Sequence, residues 1–200
     1  CVDIMMHTLE RWFSHEKDTE LTDYLAEGVL KTVMHQAKVL LTDPENYEAR
    51  SEVFWAGSLS HNGLTGCGRA GDWACHQLEH ELGGMFDVTH GAGLAAVWGS
   101  WARYVYKSDV DRFAKLAVDV LGIPYYYADQ ERTVLEGIEA MEYFFRSIHM
   151  LVSICELGVE LTDGQIEELA YKCSHMDKRT IGGVQKLDRK DMAEIYRMAR

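Results

Sequence analysis

Two hundred residues, 47 % of them hydrophobic, are enough for one globular domain with a substantial core. A formal net charge of −12 argues against nucleic acid or an anionic membrane as partner, because both need a basic face. No apolar run approaches the roughly 18–20 residues of a membrane span, and the first residues do not read as a secretory signal.

A helical pattern is under way from the first residue. Val2, Met5, Met6, Leu9, Trp12 and Phe13 recur at helical spacing over 1–14, with no capping residue ahead of them. The expectation is a piece of a longer protein, cut inside or just before a helix. The next helix covers 20–42 and stops at Asp43-Pro44. Another, from about Glu45, carries Val53, Phe54, Ala56, Leu59 and Ser60 and ends at Asn62-Gly63. A glycine-rich link, GLTGCGRAG, leads to Asp72 as N-cap of a helix from Trp73 to about Leu82, stopped by Gly83-Gly84. The segment from His90 to about Tyr106 is rich in Ala, Gly and Trp and should be buried. Its Trp98-to-Tyr106 part and the last helix are apolar enough either for core packing or for contacts with another chain. Helices follow at 109–121, 131–149, 163–175 and 188–199. With no alternating strand and only two prolines, the fold class is all-α, a multi-helix bundle of eight or nine helices.

Cys1, Cys67, Cys75, Cys155 and Cys173 are odd in number and lack C-x-x-C spacing, which suggests reduced thiols in a cytoplasmic protein, packed by default in the core. Gly66 to Gly71 match G-x-G-x-x-G, but helix rather than strand precedes them, so the stretch reads as a flexible connection and not a dinucleotide turn. His76-Gln77-Leu78-Glu79-His80 matches H-x-x-E-H, an inverted zinc-peptidase pattern. Helical spacing puts both histidines on one face with Glu79 as a candidate base, and Glu131, Glu136, Glu139 or Glu142 could supply a third ligand.

That pattern leaves out His90 and a second i, i+4 pair, Asp3 and His7, on the apolar first helix. Alone, that pair is most simply a core salt link. A buried aspartate must nevertheless be paired or bind a metal. Together with His76 and His90 it offers one carboxylate and three imidazoles from three helices, a tetrahedral set for a borderline divalent ion. His15, His35, His149 and His175 read as surface residues, and His61 as a helix-end residue. Glu10, one turn past His7, is either an orienting partner for a ligand or a salt link.

The order D-x-x-x-H (Asp3, His7), H-x-x-x-H (His76, His80) and H-G-x-G (His90, Gly91, Gly93) resembles the iron-containing, group III alcohol dehydrogenases. The text WAGSLSHNGLTGCGRAGDWACHQLEHELGGMFDVTHGAGLA is similar to their NAD(P)H-dependent butanol dehydrogenase branch. The resemblance covers the whole chain as that family's helical C-terminal, metal-binding domain. It implies Asp3, His7, His76 and His90 as ligands of Fe²⁺ or Zn²⁺, and His80 beside nicotinamide and substrate as the proton-exchanging catalytic residue. Cys67 would approach the nicotinamide, and Glu79 would have no catalytic duty. The implied reaction is hydride transfer between NAD(P)H and small alcohols or aldehydes such as butanol, in a cytoplasmic homodimer. The family's N-terminal dinucleotide-binding domain has no counterpart in these residues, so this piece alone should bind cofactor weakly and be inactive. A metallopeptidase built on HQLEH and a non-enzymatic helical interaction or metal-storage module stand as the alternatives.

Overall fold

The computed structural model describes all 200 residues, and the chain folds into nine α-helices: α1 (Val2–Trp12), α2 (Glu20–Thr42), α3 (Tyr47–His61), α4 (Ala74–Phe86), α5 (His90–Val105), α6 (Val110–Asp119), α7 (Gln130–Ser147), α8 (Asp163–Cys173) and α9 (Arg189–Ala199). The only strand-like pairing is an isolated bridge between Ile181 and Leu187. The axis of the bundle is α5, buried at every position from Gly93 to Ala102. A helix apolar on all sides must be covered on all sides, and α1, α4, α7 and α9 do this. Trp98, Trp101 and Tyr196 lie in the core, so both the Trp98-to-Tyr106 stretch and the last helix are used for internal packing.

Helix existence follows the apolar pattern, whereas several ends differ from it. At the end of α1 the chain turns extended at Phe13, the helix ending two residues early at Trp12, which swings that ring against Trp101 and Phe113. In α3, Asn46 is the cap, its side chain accepting from the Ala49 amide at 2.9 Å, and the helix starts at Tyr47. Ala56 and Ser60 face inward while Phe54 and Trp55 face out. Gly83 and Gly84 do not stop α4, which continues to Phe86 and ends at Asp87 in the left-handed region, φ 55°. Beyond α8, His175, Met176 and Asp177 are all left-handed, which ends that helix at Cys173.

Asp72 is not the N-cap of α4, which starts at Ala74 with Trp73 in the cap position; its task is a different one. Its Oδ1 accepts from the Ala74 amide at 2.9 Å, and its Oδ2 accepts from the Gly183 and Val184 amides at 2.7 and 2.8 Å. Its own amide donates to the Glu10 carbonyl at 2.7 Å. This one residue ties α1, the start of α4 and the loop before α9 together. Gly71, at φ +81°, permits the approach, since a Cβ there would stand 2.8 Å from the Glu10 carbonyl.

A buried ion-pair knot fastens the far end of α1. Asp23 accepts from Arg69 and, at 2.6 and 2.5 Å, from both terminal nitrogens of Arg112, whose guanidinium lies 4.0 Å from the Trp12 ring centroid. Burial pushes the Asp23 carboxyl up, but the hydrogen bonds and charges of Arg112 and Arg69 outweigh it and leave the carboxyl below its ordinary value. A depressed carboxyl stabilises the fold above its unfolded-state pKa of about 3.9, and that contribution is lost as pH falls through the folded value. The urea midpoint should therefore drop steeply below about pH 4, and the drop should be smaller in Asp23→Asn. Equal acid sensitivity in the two proteins would remove Asp23 as a cause.

The cysteines divide. Cys75 and Cys173 are buried, but Cys1, Cys67 and Cys155 are exposed and do not fill the core, and all five thiols are free. His15, His35, His149 and His175 are exposed, as expected.

Candidate metal centre

Asp3 and His7 sit one turn apart on the same face of α1, which packs against α3 and α5. From α4 comes His76, and His90 is the first residue of α5. These elements bring three imidazoles to one carboxylate oxygen. Asp3 Oδ1 lies 3.7 Å from His7 Nε2, 3.5 Å from His76 Nε2 and 3.3 Å from His90 Nε2. Ligand bonds of about 2.0–2.1 Å at tetrahedral angles place neighbouring ligand atoms about 3.3–3.4 Å apart. The observed separations are close to that edge. Asp3 Oδ1 and His76 Nε2 are both buried and make no hydrogen bond, the condition expected of atoms kept for a cation.

The opposite nitrogens explain the orientation. His76 Nδ1 donates to Glu10 Oε2 at 2.6 Å, and the His76 amide donates to Glu10 Oε1 at 3.1 Å. His90 Nδ1 donates to Glu79 Oε2. Each carboxylate holds a proton on Nδ1 and turns Nε2 toward Asp3. His7 differs, its Nδ1 lying 3.3 Å from Arg11 Nη1. Arg11 in turn donates to the Ser60 carbonyl at 2.7 Å and stacks over Trp73 at 4.7 Å. Trp73 enters α4 through a left-handed residue, φ 67°, which sets its ring 5.5 Å from both His7 and His76.

Charge in the cluster is unevenly held. Burial pulls the His76 imidazole down, yet the Asp3 and Glu10 carboxylates on its two nitrogens outweigh this and raise it to about 9. His7 is pushed down to about 4, first by burial and then by the neighbouring imidazoles of His76 and His61. His80 is also lowered, by partial burial and by His76 and His90.

Two roles differ from the sequence expectation. His61 is more than a helix-end residue: its Nε2 lies 3.3 Å from Asp3 Oδ2 and its ring 3.9 Å from that of His7. No local pattern announces this, since Asp3 is far away in sequence. Glu79, expected to have no catalytic duty, has a structural one, buried and bonded to His90. H-x-x-E-H flags the residue type, but its orientation depends on the turn between α4 and α5.

His80 is exposed, with its ring stacked 5.6 Å from that of His90. Ligand atoms gather tightly as Asp3, His7 and His76 in one group and Glu79, His80 and His90 in another; His90 joins the first group through Asp3 Oδ1, while His80 of HQLEH does not. With Glu79 occupied as well, the peptidase geometry is not formed. Three of the four α7 glutamates are engaged elsewhere, Glu131 with Tyr106, Glu136 with Arg132 and Glu142 with Arg103. Cys67 stands outside both groups, its thiol 3.8 Å from the Gly63 carbonyl.

Comparison with known proteins gives the family. The model of the Fe-containing alcohol dehydrogenase family, C-terminal, matches residues 1–200. NADH-dependent butanol dehydrogenase A of Clostridium acetobutylicum is 32 % identical over 196 residues, covering 98 % of this chain and 50 % of that protein. Probable NADH-dependent butanol dehydrogenase 1 of Bacillus subtilis is 31 % identical over the same shares. The crystal structure of NADH-dependent butanol dehydrogenase A from Thermotoga maritima superposes with a TM-score of 0.91 at 30 % identity, over 99 % of this chain and 50 % of that one. The chain spans about half the length of the curated relatives it matches. It belongs to the Fe-containing alcohol dehydrogenase family, as that family's helical C-terminal domain.

Proposed function

We propose that Asp3, His7, His76 and His90 hold one divalent cation, and that the chain is the metal- and substrate-binding half of an NAD(P)H-dependent alcohol dehydrogenase or aldehyde reductase. The observation that carries this reading is the convergence of three Nε2 atoms on a buried, unpartnered carboxylate oxygen. Imidazole and carboxylate ligands suit Fe²⁺ and Zn²⁺ alike. When bound, such an ion supplies Lewis acidity to the substrate oxygen, worth several kcal/mol at comparable sites.

The chain's own residues do the rest. Asp3 contributes the one negative charge of the ligand set, and Glu10 fixes His76 through Nδ1. His80, exposed beside His90 and lowered by partial burial and by the neighbouring imidazoles, exchanges the proton with the substrate oxygen or the cofactor ribose. Cys67 borders the nicotinamide. The nucleotide itself is held mainly by a dinucleotide-binding domain outside these residues. Small primary alcohols and their aldehydes, butanol among them, are the substrates by similarity to the named relatives. The working protein is a cytoplasmic homodimer.

Titration with Co²⁺ should show one equivalent bound, with the intense visible bands of a four-coordinate site. A fusion of the chain to a nucleotide-binding domain of a matched relative should oxidise NADH or NADPH with butyraldehyde only when metal is loaded. A chain that binds no Co²⁺, or a metal-loaded fusion that is inert, would count against the reading.

A further inference from the structure

We propose that Glu79 is the positioning residue for His90, and that Gly83 and Gly93 form the socket in which its carboxylate is held. This rests on the reading of the Asp3 cluster as a metal site. His90 is 41 % exposed at the solvent end of α5, and its only charged partner other than Asp3 is Glu79, at 2 % exposure. An imidazole that open to solvent would sample several ring orientations without a fixed partner on Nδ1. Glu79 supplies one, and the Nδ1 proton it accepts leaves the Nε2 lone pair turned toward Asp3 Oδ1.

The socket accounts for two glycines that turn chemistry does not. Gly83 and Gly93 are helical and neither has a positive φ, so conformational freedom is not their reason. A glycine inside a helix costs about 1 kcal/mol relative to alanine. What each offers is volume. A Cβ built on Gly83 would stand 3.0 Å from Glu79 Oε1, and one on Gly93 would stand 2.8 Å from both Oε1 and Cγ of Glu79. The α4 glycine and the α5 glycine thus face the same carboxylate from two helices, and the carboxylate bridges to the first residue of α5.

The test is Zn²⁺ affinity by chelator competition, with the Co²⁺ spectrum as a second readout that does not involve turnover. Glu79→Ala should weaken Zn²⁺ binding about 10–100-fold and alter the Co²⁺ bands, as loss of an outer partner of a metal-bound histidine does. Glu79→Gln, whose amide oxygen can still accept from Nδ1, should recover most of that loss. Gly93→Ala should move affinity in the same direction by crowding the carboxylate. In the unaltered protein, ¹⁵N NMR of the His90 ring should show the proton on Nδ1, a measurement that does not depend on any variant folding. Wild-type affinity and spectrum in Glu79→Ala, or an Nε2-protonated His90, would overturn the positioning role and leave the metal site standing. Absence of Co²⁺ binding by the unaltered chain would instead remove the metal site, and the positioning role with it.

Discussion

His76→Ala is expected to fold and to lose its cation, whereas His80→Ala should keep one equivalent. The two histidines are four residues apart on one helix, so composition and helix content change alike in both variants. Their surroundings differ. His76 is buried, with Nδ1 fixed by Glu10 and Nε2 aimed without a hydrogen bond at Asp3 Oδ1. His80 is exposed and meets the cluster through its ring, stacked on His90 and edge-on to His76. Asp3→Ala should behave as His76→Ala does, because it removes the oxygen on which all three imidazoles converge. The loss should exceed the roughly 10–100-fold that removal of an outer partner causes. Metal analysis after dialysis, with circular dichroism to confirm folding, is sufficient. Stoichiometric metal in His76→Ala, or its disappearance in His80→Ala, would reverse the assignment of ligands.

Asp72→Ala should be the most destabilising single change near the site, by about 3–5 kcal/mol, since it strips three backbone amides of their acceptor. A buried donor left unpaired costs about 1–3 kcal/mol, and a domain's whole stability is only about 5–15 kcal/mol. Asp72→Asn keeps one acceptor oxygen and should fall between. The variant should also bind metal less tightly, because the same segment anchors the Glu10 backbone, and the Glu10 side chain orients His76. Urea unfolding gives the first quantity and chelator competition the second. A loss under about 1 kcal/mol would mean that these amides find other acceptors at little cost.

What could be read from the residues alone divides along a physical line. Helices announce themselves because burial on one face imposes a period, and all nine are legible in that way. The Asp3–His7 spacing is legible for the same reason, since i and i+4 share a face. Ends are less so. Gly83-Gly84 has the composition of a helix stop, but neither glycine is left-handed, and α4 runs past them to Phe86. Phe54 and Trp55 have the composition of core residues and lie on the surface. Contacts between distant segments leave no periodic trace: nothing in the sequence links His61 to Asp3, or Glu79 to the proton of His90.

The placement of the three imidazoles on separate helices has a mechanical side. A cation seated on Asp3, His7, His76 and His90 would cross-brace the N-terminal parts of α1, α4 and α5, a clasp between segments far apart along the chain. At a free concentration 100 times its dissociation constant, such a ligand adds about 2.7 kcal/mol to the folded state. Chelators would then act on this domain as mild denaturants, lowering its stability together with its activity.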